Sequence, residues 1–210
     1  MMSAMDPPLH ERVYEGLKED YLAGHFVPGK KIDIQNLATR YRSSKTPVRE
    51  AAFILVGQGL LAHHSDGGFL VPVREPAELI ELLALHMQMM AATLSNLRES
   101  AIRGVLLQPW ALGQRPSPAN VANLATGIFA SLAEATGNRE TSLLVRCLNE
   151  RFHYARIAET ENPTIAEKEL ATILDINVAN LPKATRRRIE AYHVRKIAHQ
   201  QKIIQILSTV

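Results

Sequence analysis

The chain has one cysteine, Cys147, in 210 residues. That excludes an internal disulfide framework and a four-cysteine zinc cluster, and it fits a reducing compartment. Aromatic residues are 5%, so leucine, alanine, valine and isoleucine must fill the core, a bias toward helix. No stretch approaches the roughly 18 apolar residues of a membrane span. Met1 to Pro8 lacks the basic region and apolar core of a signal peptide. A cytoplasmic protein with no membrane attachment is expected. Hydrophobic residues at 46% and charged residues at 21% are globular values and argue against a disordered chain. The sequence also has no HExxH, no Walker loop, no nucleophile elbow and no paired carboxylates with a helical partner. Cys147 has only Arg146 as a local basic neighbour, on a helix expected to be buried, so an inert thiol is expected. Nothing here calls for an enzyme.

What is present is charge in an uneven distribution. The formal net charge is +3, which alone says little. Residues 34–49, however, hold Arg40, Arg42, Lys45 and Arg49 with no acid. Uncompensated local charge is an electrostatic footprint for phosphate; a solvated basic face is the alternative. Arg186, Arg187 and Arg188 are followed by Glu190 and an apolar period, and read as a solvated helix start.

The order of elements places that cluster. Leu9, Val13, Leu17, Tyr21 and Leu22 have helical spacing. Gly24 and Pro28-Gly29 end that helix and turn the chain. Asp33 is a plausible N-cap for a helix from Ile34 to Tyr41. Ser43-Ser44-Lys45 breaks the pattern, and Thr46 caps a third helix with Pro47 at its first position, running to Gly57 or Gly59. Two short apolar segments then flank Ser65-Asp66-Gly67-Gly68, which predicts a β-hairpin. Helix, helix, turn, helix, hairpin is the layout of a winged helix-turn-helix. The third helix would enter the major groove, and Gly67 and Gly68 would let the hairpin tip approach phosphate or the minor groove.

After Arg74-Glu75-Pro76 the pattern is helical throughout. One long apolar helix is expected over 77–102, its methionines serving as packing fillers, then a proline-bearing loop over 104–120, and helices over about 119–136, 138–160, 164–180 and 183–208. The expected fold is mainly α: a winged helix-turn-helix domain over 1–74 and an all-helical bundle over 75–210.

The residues Val13-Tyr14, Leu17, Gly24, Pro28-Gly29, Leu37-Ala38 and Ser44-Lys45-Thr46-Pro47-Val48-Arg49-Glu50-Ala51, with Gly59-Leu60 and Gly67-Gly68-Phe69-Leu70-Val71, resemble the DNA-binding domain of GntR-family bacterial transcription regulators. Lys45 stands where the family usually has arginine, and Arg42 where it often has glycine. The resemblance implies a double-stranded DNA operator as partner. Lys45 and Arg49 would contact bases or phosphates, Ser44 and Thr46 phosphates, and Arg40 and Arg42 the phosphate face. Operators of two half-sites imply a homodimer.

The remainder is similar to the ligand-sensing domain of the FadR-like, or FCD, branch. Asn149-Glu150-Arg151-Phe152-His153, followed by Glu161-Asn162-Pro163, carries the likeness, together with the segment around His199. This implies control by a small-molecule effector. It also implies a divalent transition metal (Zn²⁺, Ni²⁺ or Mn²⁺) as a possible cofactor on Asn149, His153 and His199. The branch's last histidine would fall beyond Val210, and His193 lies about 240° around a helix from His199. The expected state is therefore mostly metal-free, with His153 and His199 facing a polar cavity. The alternative to an effector-controlled regulator is an adaptor or dimerisation protein whose winged helix no longer binds DNA.

Overall fold

Asp33 shows how local chemistry sets the N-terminal elements. In the computed structural model, which describes residues 8–113 and 116–209, its side chain accepts from the backbone N–H groups of Gln35 (2.9 Å) and Asn36 (3.0 Å). That satisfies two donors a helix start leaves unpaired and opens α2 (Ile34–Arg40). Before it, α1 (Leu9–Leu22) buries Val13, Leu17 and Tyr21. After it, α3 (Lys45–Gly57) buries Val48, Ala51, Ala52 and Leu55. α3 starts with Ser44 at the cap, so Thr46 is not the cap residue. Pro47 lies in the first turn, where its missing N–H is not needed.

The α2–α3 turn closes as a Schellman motif: Arg42 N–H donates to Thr39 C=O (3.2 Å) and Ser43 N–H to Ala38 C=O (2.9 Å). Arg42 occupies the left-handed position, φ +50°. The wing is a two-residue ladder, β1 (Ala62–His63) and β2 (Phe69–Leu70), antiparallel with Ala62 opposite Leu70. A further bridge joins Lys31 to Leu70.

The chain divides into two compact units, Met1–Val73 and Arg74–Val210. In the second, α4 (Pro76–Ser95), α5 (Glu99–Leu106), α6 (Pro118–Glu134), α7 (Arg139–Arg151), α8 (His153–Glu159), α9 (Pro163–Leu174) and α10 (Leu181–Leu207) follow in order. Ser117, Asn138, Asn162 and Asn180 each accept a backbone N–H at a helix start, a cap worth about 1 kcal/mol. α4 packs along α10, and α6 packs on α7 and α8, around Met90, Ile102, Phe129, Leu132 and Ile189.

Three helices differ from expectation. The stretch 77–102 is two helices, because Ser95 and Asn96 turn their side chains onto the Ala92 carbonyl (2.7 and 2.9 Å) and compete with the helical ladder. The stretch 138–160 breaks at Phe152, φ −107° and ψ 18°. α9 ends at Leu174, where Asp175 turns extended and its carboxylate accepts Asn177 N–H (2.9 Å). Among the described residues α4 is long and apolar enough to cross a membrane by length and composition, which the run of residues alone had not suggested. Its Leu79, Leu82, Leu83, Met90 and Leu94 are buried within the helical unit. Cys147, expected to be buried, is exposed. The buried stripe of α7 is Val145, Leu148 and Asn149, and Cys147 lies off it.

Candidate functional site

In the N-terminal unit, Ser44, Lys45, Thr46 and Arg49 are all exposed along the first turns of α3. Arg49 and Phe53, one turn apart, border a cleft of about 690 Å³ whose other wall is Lys31, Gly67, Gly68 and Phe69. Gly67 and Gly68 have φ of +77° and +90°, a backbone that glycine adopts without strain. Lys31 Nζ donates to the Asp66 carbonyl (3.1 Å), so a strand-side lysine fastens the wing turn. Phe53 is 56% exposed, and its ring meets Phe69 edge-on at 5.1 Å. Lys31 and Phe53 join this surface without having been expected from sequence. Both need the wing folded onto α3 before they face anything.

Arg40 and Arg42 lie elsewhere. They border a separate hollow with Glu11, Glu15 and Glu19 of α1, so the basic cluster lacks acids only along the sequence. Arg40 is also committed. Its guanidinium is 2.9 Å from the buried carboxylate of Asp20, which His25 (3.0 Å) and the Tyr41 hydroxyl also engage. Burial, then the hydrogen bond to Asp20 and its charge, push the Tyr41 phenol well up. Arg42 is exposed.

The helical unit keeps its polar groups in the core. Asn149 and His153 are both fully buried, but the break at Phe152 places them on α7 and α8 rather than on one helix face. The Asn149 Oδ1 accepts from Arg156 Nη2 (2.8 Å). His199 is exposed on α10, so it faces no polar cavity with His153 as expected. Among the described residues, no group of three His, Cys, Asp or Glu side chains is arranged to hold a metal ion. The oxygen that the resemblance would place on a metal is taken by a guanidinium, and the set Asn149, His153 and His199 does not fit a transition-metal shell.

The buried histidines that do meet are His86 and His193. His193 Nδ1–H donates to the Ile189 carbonyl (2.7 Å). Its Nε2 is therefore the acceptor for His86 Nδ1–H, at 2.7 Å. Burial first, opposed by the Ile189 carbonyl and aided by the Arg156 charge, moves His193 from 6.5 down to about 4. His86 is held well below 6.5 by burial, then by His193 and Arg156. Both rings are neutral, and Arg156 is the fixed charge beside them. Sequence gave no sign of this pair, whose members stand 107 residues apart.

Residues 9–71 match the family model of bacterial regulatory proteins, gntR family. The chain is 26% identical over 151 residues to the Nta operon transcriptional regulator of Aminobacter aminovorans, covering 69% of this chain and 72% of that protein. Its fold is similar to a GntR transcriptional regulator from Rhodococcus sp. RHA1, with TM-score 0.73, 18% identity, and 92% and 97% of the two chains covered. It is also similar to E. coli McbR/YncC, with TM-score 0.64, 22% identity, and 100% and 99% covered. At such identities the two structures speak for the fold. The proteins matched are transcriptional regulators, not enzymes. Residues 9–71 thus form a winged helix-turn-helix domain that matches the gntR family model.

Proposed function

We propose that this chain is a DNA-binding transcriptional regulator of the GntR family that binds a specific operator as a homodimer in the cytoplasm, and that a small-molecule effector in its helical unit, a domain of the FCD type, sets its affinity. One observation carries the DNA half: Arg49, Lys31 and the wing glycines border a single cleft beside the exposed start of α3. Arg49 is the base-reading candidate, with Lys45, Thr46 and Ser44 at the phosphates. Arg42 is a further phosphate contact, and Arg40 serves first to hold Asp20. The helical unit supports dimerisation with apolar side chains exposed on a single chain, among them Leu85, Leu143, Leu144 and Val194. Linkage requires that the effector bind one arrangement of the dimer better than another.

The test is duplex binding by fluorescence anisotropy, with duplexes enriched from genomic fragments and scrambled versions as controls. Specific binding should exceed non-specific binding by about 10³ or more, and Arg49→Ala should cost about 1–3 kcal/mol of it. Equal affinity for scrambled duplexes would refute sequence-specific binding, and no salt-dependent duplex binding at all would leave the adaptor reading. A monomer by light scattering at micromolar concentration would refute the dimer.

A further inference from the structure

The exposed face of α3 changes character along its length. Lys45, Thr46 and Arg49 are polar, and the next turn presents Phe53 with 56% of its surface in solvent. The buried stripe of the same helix is Val48, Ala51, Ala52 and Leu55, so Phe53 is not part of the core that holds the helix. It follows Arg49 by four residues, which puts both side chains on one face, about 6 Å apart along the axis. Both line the same cleft.

The wing fixes the ring. Phe69 of β2 is 3% exposed and meets Phe53 edge-on. His63 of β1, opposite Phe69 in the ladder, lies 5.8 Å from Phe53 and 5.7 Å from Phe69. Such contacts orient an aromatic ring, and here they leave more than half of it uncovered. The acids of the cleft are turned to local partners. The Asp33 carboxylate caps α2, and Asp66 stands 3.9 Å from His64 on the turn. Beside Arg49 the cleft thus offers an apolar surface that is held in place and unburied.

Phosphate gains nothing from such a surface, and a hydrogen-bonding base edge would be desolvated against it without a partner. One base presents an apolar group in the major groove, the C5-methyl of thymine. An exposed phenylalanine can also serve as a wedge between bases, but wedges of that kind enter from the minor groove. α3 is the element for the major groove, and the Phe53 ring is braced by Phe69 and His63.

We propose that Phe53 is a specificity-determining residue that packs on the C5-methyl group of a thymine in the operator. The proposal rests on the operator-binding reading above, and it adds a base that no hydrogen-bonding side chain identifies. The spacing along α3, set against the rise of duplex DNA, puts that thymine about two base pairs from the base read by Arg49.

The test is fluorescence anisotropy of the full chain on its enriched operator, with each thymine replaced in turn by deoxyuridine. That exchange removes the methyl group and keeps every hydrogen-bonding atom. One position should weaken binding about fourfold, the worth of one buried methyl, and the other thymines should have little effect. Phe53→Ala should bind the thymine duplex more weakly and no longer distinguish it from the deoxyuridine duplex at that position. Phe53→Leu, which stays apolar, should keep part of the discrimination. 5-Methylcytosine should bind better than cytosine at the same position with the wild type and not with Phe53→Ala. Far-UV circular dichroism and thermal unfolding establish that the variants are folded. If the ring only braces the wing, Phe53→Ala weakens both duplexes by one factor and their ratio survives, and the proposal fails. It fails equally if no thymine responds to deoxyuridine while specific binding persists, which keeps the operator reading intact. Equal affinity for the operator and its scrambled version would refute the operator reading and this contact with it.

Discussion

Replacing Arg42 with glycine should strengthen the fold and weaken the complex with DNA. Arg42 is the one non-glycine residue of the described chain with positive φ, at +50°. It fills the position of the α2 Schellman motif that glycine usually takes. A left-handed backbone costs an L-residue about 1–2 kcal/mol. Glycine returns roughly 0.5–1 kcal/mol of that as lost chain entropy. The net gain is therefore about 0.5–1 kcal/mol, read from native-state hydrogen exchange of the α2 and α3 amides. If the Arg42 side chain meets a phosphate, Arg42→Gly also lowers the slope of log K against log salt by about 0.9. Arg42→Ala separates the two effects, because it loses the charge and keeps the strain. Slower duplex dissociation at high salt, or a less stable α2–α3 pair in Arg42→Gly, would sink the reasoning. A gain in stability with an unchanged slope would take Arg42 off the DNA face.

Acid should weaken the helical unit through its histidines. His193 falls from 6.5 to about 4 on folding, so the unfolded chain binds the proton first. The contribution is complete above pH 6.5 and is lost as pH falls toward 4, by roughly 3 kcal/mol for this group at 1.36 kcal/mol per unit. Urea unfolding at pH 7 and pH 4.5 should show the loss, and His193→Gln should flatten it. Gly68→Ala should disturb the wing, since φ is +90° and a Cβ would sit 3.1 Å from Lys31 Cε. We expect it to cost about 1–2 kcal/mol and to reduce duplex affinity, whereas Gly67→Ala, with open space around it, pays the backbone cost alone. Cys147 should react with one equivalent of a thiol reagent in the native protein, and protection until denaturant is added would contradict its exposure.

The N-terminal unit was legible because its signals are local. Asp33 caps the helix that follows it, Pro28-Gly29 turns the chain before it, and Gly67-Gly68 sets the hairpin within a few residues. The helices after residue 74 were legible as apolar periods, but their breaks were not. Neither Ser95-Asn96 nor Phe152 carries a proline or glycine. The first break comes from side chains taking the Ala92 carbonyl, and the second accompanies a Phe152 ring that lies under Arg156 and packs with Leu79 and Leu148. Periodicity runs through both without a change. The site was affected more than the fold. Spacing within 149–153 suggested a shared helix face only while the helix was assumed continuous, and His86, His193 and Arg156 come from three separate helices.

Asn149 decides between a metal and the Arg156 guanidinium in that core. A carboxylate at this position would lie against the Arg156 guanidinium, 2.8 Å away through the present Oδ1, and would neutralise it from within. The amide that stands there leaves the charge in place, and its own Nδ2 has no partner among the described residues. Asn149→Asp therefore removes an unsatisfied buried donor and supplies the missing countercharge in one step. Hydrogen bonds to charged groups contribute about 1.5–3 kcal/mol, so the ligand-free variant should be more stable by an amount of that order. A metal site predicts the opposite. There a carboxylate is the stronger donor, so Asn149→Asp would bind Zn²⁺, Ni²⁺ or Mn²⁺ more tightly and respond more to ligand when metal is supplied. Thermal unfolding of the variant, in EDTA and then with each metal, separates the two arrangements. A variant stabilised only by metal would displace Arg156 from the centre of the site.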